Sequence, residues 1–289
     1  MEKTRIGTMV DGLIPDPAAY IAAIIPDGFE CFQLTFWQTI GNVNLMKLAD
    51  QVRQVIESHQ IPISTIGVYG NPLESDEMAG ETRRGLEMAV ESAPLFGASI
   101  VSCFTGRLRN RSIPDSIPAY QAFFEPLAEK AARNGVRIAF ENCAMGGTWK
   151  YGDWNLAHGP DAWELLFEAL PQSNIGLEWE TCHQMANLID PLQQLPHWVD
   201  RIFHVHGKCA NVYHDVIKKH GINGSIPTVD HRFPGLGDVD WTDVLKILKT
   251  SNYKGTIDIE GWHDPIFKDD LELEGQRNAL AYLKSCRTS

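Results

Sequence analysis

No stretch of the sequence approaches the ~18 consecutive apolar residues that a membrane-spanning helix needs, and the opening MEKTRIG lacks the apolar core of a secretory signal. A cytoplasmic protein with no membrane partner is the expectation. Basic residues are in deficit, 25 Lys and Arg against 37 Asp and Glu, giving a formal charge of −12. With no basic tail or Arg-rich stripe to counter it, that field repels nucleic acid and anionic lipid, so neither is an expected partner. Cysteine is sparse. Cys31, Cys103, Cys143, Cys182, Cys209 and Cys286 form no C-x-x-C pair, and a chain of this size needs no disulfide framework, so they read as reduced thiols. Also missing is a Gly-rich phosphate loop: DGLIP at 11–15, after the first apolar run, does not match the dinucleotide fingerprint.

What is present is a regular alternation. Short β-like runs occupy residues 5–10, 29–35, 63–69, 98–104, 136–142, 175–181, 202–208 and 255–261. Helical patterns lie between and after them at 17–24, 43–59, 81–96, 115–134, 160–170, 187–198, 240–250 and 271–284. Eight βα units in 289 residues, without a dinucleotide loop, predict an α/β fold in the form of a single (β/α)8 TIM barrel spanning 1–289. Two connections exceed the usual length, 143–159 and 209–239, and both follow strands, where barrels of this kind carry specificity.

Strand phase then places chemistry. In the fifth run Val136, Ile138 and Phe140 share the outward, helix-facing side, which turns Glu141 into the barrel at the strand exit. The same test turns Glu180, His206 and Glu260 inward at the exits of the sixth, seventh and eighth strands, with His204 inward one layer below. Carboxylates gathered at one rim repel one another unless protons or a cation neutralise them. Three carboxylates and an imidazole suit one hard or borderline divalent ion. Mn²⁺ is the first choice, with Mg²⁺, Co²⁺ or Zn²⁺ as alternatives; a metal-free carboxylate network is the competing reading.

The segments FEN (140–142), GLEWETCH (176–183), HVHGK (204–208), PGLGDVD (234–240) and IDIE (257–260) resemble the xylose-isomerase-like TIM barrel superfamily. Within it the chain is similar to the sugar phosphate isomerase/epimerase family and its ketose 3-epimerases. The resemblance implies that Glu141, Glu180, His206 and Glu260 hold the metal, that Glu141 and Glu260 also exchange substrate protons on opposite faces, and that His183 contacts substrate. It implies a small sugar or sugar derivative as partner and a homodimer or homotetramer as the assembly. The chain departs from the 3-epimerases in carrying Glu rather than Asp at 180, Gly147 and Val212 where they carry Glu and Arg, and Cys209 where Asp is frequent.

Arg232, in the long loop after the seventh strand, is a candidate replacement cation; Lys208 and Trp262 are further substrate-binding candidates, Trp262 as an apolar wall for a sugar face. Asn142 is a candidate to orient Glu141. The expected activity is a divalent-metal-dependent sugar isomerase or epimerase working through an enediolate beside a carbonyl. The alternatives are a metal-dependent lyase acting on an oxidised sugar or glycoside, and a non-catalytic sugar-binding barrel.

Overall fold

Alternating apolar residues drive eight parallel strands into a closed ring. In the computed structural model, which describes residues 3–288, these are β1 (Ile6–Asp11), β2 (Phe32–Trp37), β3 (Ile63–Tyr69), β4 (Ile100–Cys103), β5 (Arg137–Glu141), β6 (Ile175–Glu180), β7 (Ile202–Gly207) and β10 (Ile257–Ile259). They pair in chain order, and β10 closes the barrel between β7 and β1. The (β/α)8 expectation is met, each strand within a few residues of its predicted place.

The helices are α1 (Pro17–Ile24), α2 (Leu45–Ile56), α3 (Glu77–Ser92), α4 (Ile113–Arg133), α5 (Pro160–Ala169), α6 (Thr181–Ala186), α7 (Pro191–Trp198), α8 (His214–His220), α9 (Trp241–Thr250) and α10 (Glu272–Thr288). Side-chain caps start several of them, with Asp16, Asn44, Asp76 and Asp240 each accepting from a backbone N–H of the first turn. In α2 the buried residues Leu45, Leu48, Ala49, Val52 and Ile56 fall on one stripe. They join outward strand residues such as Ile138, Leu177 and Val205 in the layer between barrel and helices. Trp179 lies in that layer as its phase predicts, fully buried, with its indole N–H donating to Gln194 Oε1 at 2.9 Å.

Two features differ from the sequence expectation. The helix predicted over 187–198 starts later, as α7 at Pro191 with Asp190 as its cap, and a short helix not predicted, α6, precedes it directly after β6. The excursion after β7 is not irregular: β8 (Cys209–Val212) and β9 (Val229–Arg232) form an antiparallel pair around α8. Neither strand has apolar alternation: in CANV the adjacent Cys209 and Ala210 are both buried, in a small cluster with Cys182 and Met185, while all of VDHR is half-buried.

Inside the barrel, one glycine makes room for a buried acid. A Cβ on Gly7 would lie 2.0 Å from the Cys31 carbonyl oxygen and 2.4 Å from Asp258 Oδ1. Any side chain at position 7 would collide with the β2 backbone at Cys31 and displace that carboxylate.

Candidate metal centre and active site

Four neighbouring strands bring their ends together at the C-terminal rim. Glu141 ends β5, Glu180 ends β6, His206 lies one residue before the end of β7, and Glu260 follows β10 directly. Strand register sets Glu180 beside His206. His206 Nδ1 is 3.1 Å from Glu141 Oε1, 3.0 Å from Glu260 Oε2 and 3.6 Å from Glu180 Oε2. All four residues are buried and offer ligand atoms within 4.8 Å of one another. Neither Glu180 oxygen accepts a hydrogen bond, and neither does Glu260 Oε2. Buried carboxylate oxygens in that condition are costly. A divalent ion among these donors would satisfy them, and the set of three carboxylates and one imidazole fits such an ion.

One layer deeper, a second group of polar side chains is closed on itself. His206 Nε2 lies 3.0 Å from Gln33 Oε1 and 3.2 Å from Glu178 Oε1. Glu178 also receives the Tyr69 hydroxyl at 2.5 Å and His204 Nδ1 at 2.7 Å. His204 Nε2 reaches Asp258 Oδ2 at 2.6 Å. Burial alone would raise the Glu178 carboxyl, but the His206 and His204 rings hold it well below the usual carboxylate range. Burial likewise opposes a charge on His204, and its hydrogen bonds to Asp258 and Glu178 outweigh that and raise its pKa. With acceptors on the Nε2 side, His206 directs its Nδ1 at the three rim carboxylates, which fixes the nitrogen available to a metal.

The rim electrostatics are uneven. Burial, together with the Glu260 and Glu180 charges, pushes Glu141 up to about 7 against the pull of His206. Burial opposes ionisation of Glu180 too, but His183 and Lys208 hold it well below the ordinary range. Lys208 Nζ contacts Glu260 Oε1 at 2.5 Å, and His183 Nε2 stands 2.7 Å from Glu180 Oε1, close enough for an ion pair but out of line for a hydrogen bond. Above these groups opens a cavity of about 560 Å³ lined by Glu141, His183, Lys208, Glu260 and an aromatic wall that includes Trp37 and Trp262. The two indoles meet edge to face, 5.6 Å between centroids.

The family model described as Xylose isomerase-like TIM barrel matches residues 21–286. The chain belongs to that family. Inosose dehydratase of Clostridium tetani (strain Massachusetts / E88) is 30% identical over 114 residues, covering 38% of each chain. The same-named protein of Clostridium beijerinckii is 29% identical over 129 residues, 43% of this chain and 42% of that one. These matches span less than half the length of the curated relatives. Among solved structures, the apo 3-keto-D-glucoside 4-epimerase from E. coli superposes with a TM-score of 0.71 at 18% identity, over 98% of this chain and 100% of that one. An L-ribulose 3-epimerase gives 0.72 at 16%, over 99% and 96%. At such identities the shared feature is the barrel.

In this xylose-isomerase-like barrel, seven of the eight site residues singled out from sequence meet at one cavity or directly beneath it: Glu141, Glu180, His183, His206, Lys208 and Glu260, with Trp262 at the wall. Arg232 is the exception. Its Nε pairs with buried Asp264 Oδ2 at 3.1 Å, tying β9 to the loop after β10, and it is not among the lining residues of this cavity. Asn142 does not orient Glu141: its amide bonds the backbone of Glu180 in both directions, at 3.0 and 2.8 Å, and so fixes the exit of β6. Gln33, Tyr69, Glu178 and Asp258 were not identified from sequence. Glu178 and Asp258 carry a usable signal, since each lies two residues before a rim glutamate and shares its inward phase.

Proposed function

We propose that this chain is a divalent-metal-dependent sugar isomerase or epimerase that moves a proton at a carbon beside a carbonyl through an enediolate. The observation carrying the proposal is the convergence of Glu141, Glu180 and Glu260 on His206 Nδ1, with three of their buried oxygens lacking hydrogen bonds, at the floor of an aromatic-walled cavity. When bound by these four residues, a divalent ion, with Mn²⁺ the first to test, supplies Lewis acidity to adjacent carbonyl and hydroxyl oxygens. Glu141 and Glu260 are the proton carriers. They come from strands separated by β6 and β7, so they approach a sugar from different sides of the cavity. His183 and Lys208 line the cavity as donors to sugar oxygens, and the indoles of Trp37 and Trp262 cover its less polar face while excluding water.

A second reading is favoured by the curated relatives, which are named dehydratases. In it one carboxylate removes the proton beside the carbonyl, the carbon–carbon double bond forms, and a hydroxyl on the next carbon departs with a proton as water. Lys208, kept protonated against its burial by Glu260 and Glu180, would hydrogen-bond the departing hydroxyl, and the carboxyl that took the first proton would return it to complete the water.

Reconstituted with metal and incubated in deuterated water with free, phosphorylated, keto- and acid sugars and cyclic polyol ketones, the protein is expected to introduce deuterium beside the carbonyl without changing substrate composition. Loss of water from the product selects the lyase. Neither outcome at full metal occupancy removes both enzymatic readings and leaves sugar binding.

A further inference from the structure

A second cavity, of about 520 Å³, adjoins the first. It opens between the segment after β1 and the segment joining β10 to α10, and it shares Met9, Trp37, Glu260 and Trp262 with the cavity above the metal ligands. The edge-to-face indole pair therefore forms a common wall. One sugar ring needs less room than the two compartments together provide, each being of ligand-site size on the scale of ~300–1,000 Å³.

The chemistry of the second compartment is one-sided. Among the described residues no Lys, Arg or His lines it, whereas Asp11, Asp269, Asp270 and Glu272 do. Burial and the charges of Glu260 and Asp269 push the Glu272 carboxyl up, as expected where anions are crowded. Cations elsewhere at this rim are already engaged: Lys208 with Glu260, and Arg232 with Asp264. A phosphate or carboxylate would meet repulsion and no counter-charge.

Two neutral lining residues point to what is accepted instead. Thr35 and Gln276 are 5% and 4% exposed, and Thr35 Oγ1 and Gln276 Oε1 are buried without a hydrogen-bond partner. Partnerless buried oxygens beside a cavity are free to accept a hydrogen bond from a water or from a ligand hydroxyl that displaces it. Asp11, Asp269 and Asp270 are exposed to water, so the buried polar atoms unmet by protein are those of uncharged side chains and of Glu260. Hydroxyl groups match them better than an ammonium does.

We infer that this compartment is a second sugar subsite, and that the substrate is an uncharged two-part molecule, a glycoside or disaccharide, whose reacting ring lies over the metal ligands and whose second ring lies beyond Trp37 and Trp262. The inference rests on the proposed function only in assigning the reacting ring to the first cavity.

Calorimetric titration of the metal-loaded protein tests it with D-fructose, D-glucose, D-fructose 6-phosphate and a panel of uncharged disaccharides comprising maltulose, lactulose, isomaltulose, maltose, cellobiose and trehalose. At least one disaccharide is expected to bind about 10-fold or more tightly than either monosaccharide, a gain of one decade in Kd, and the phosphate no better than fructose. In Gln276→Leu and in the near-isosteric Thr35→Val the disaccharide-to-monosaccharide affinity ratio should collapse towards one. Thr35→Val deletes only an oxygen that has no partner in the fold, whereas Gln276→Leu also removes the long 3.4 Å bond from Nε2 to Glu272 Oε1. Tighter binding of the phosphate, no disaccharide exceeding its monosaccharides, or a ratio that survives both substitutions overturns the inference. A disaccharide gain without deuterium exchange or product in the activity panel removes the proposed reaction and leaves the subsite; exchange without the gain removes the subsite alone.

Discussion

His204 and His206 are both inward on β7, two residues apart, with rings 5.5 Å between centroids and perpendicular, yet their surroundings differ in kind. His204 has one carboxylate on each nitrogen, Glu178 on one side and Asp258 on the other, and the charges close locally. His206 presents one nitrogen to three carboxylates at once, and a single N–H satisfies only one of them. Burial of acidic residues is common to both layers. What separates a structural ion network from a metal centre here is whether the carboxylate oxygens are already partnered, and at the His206 layer three are not.

The largest expected effect breaks the upper layer. Glu180→Ala should weaken divalent-metal binding by more than about 100-fold, beyond the range for loss of a residue that only supports a ligand, as measured by equilibrium dialysis with elemental analysis. Its stability cost in the metal-free protein should be smaller than that of a change at His204, because neither Glu180 oxygen has a hydrogen bond to lose. If the metal remains bound at wild-type affinity, the ligand assignment fails.

The next effect is on the lower layer and appears in stability. His204→Leu leaves the buried Glu178 and Asp258 carboxylates without their shared imidazole. Stranding buried charges in this way costs about 3–5 kcal/mol, readable by denaturant unfolding of the metal-free protein. A cost below that of Glu180→Ala would erase the distinction between the two layers.

The same contrast explains how much of the site was legible in the sequence. Parity along a strand decides inward from outward, and that was sufficient to gather Glu141, Glu180, His206 and Glu260. It gives no depth or partner. Glu178 has the same phase as Glu180, but its role depends on Tyr69 and Gln33, which lie 109 and 145 residues away in the chain. Only barrel closure brings those strands into contact. Arg232 illustrates the reverse limit: its position in a long loop after β7 suggested substrate binding, while its guanidinium is held by Asp264 from the loop after β10. The β8–β9 pair was hidden because both strands are only four residues long and neither alternates: Cys209 and Ala210 are buried on opposite faces of β8, and β9 is half-buried throughout.

The smallest expected effect is a pH dependence that sharpens the difference between the two histidines. Burial disfavours a charge on His206, but Glu178, Glu141 and Glu180 raise its pKa well above the ordinary value, so without metal it carries a proton at neutral pH. A metal needs Nδ1 free of that proton and Glu141 ionised, and Glu141 itself titrates at about 7. Metal uptake must therefore release about one to two protons, nearer two below pH 7, where Glu141 is still protonated, and nearer one above it. Affinity should fall as the pH falls through this range. Calorimetry in buffers of different ionisation enthalpy counts the protons. His204 stays between Glu178 and Asp258 with or without metal and should contribute none of them, so His204→Gln should leave the proton count unchanged while lowering stability. A release that is zero at pH 7, or that disappears in the His204 variant, would place the metal-linked proton on the wrong layer.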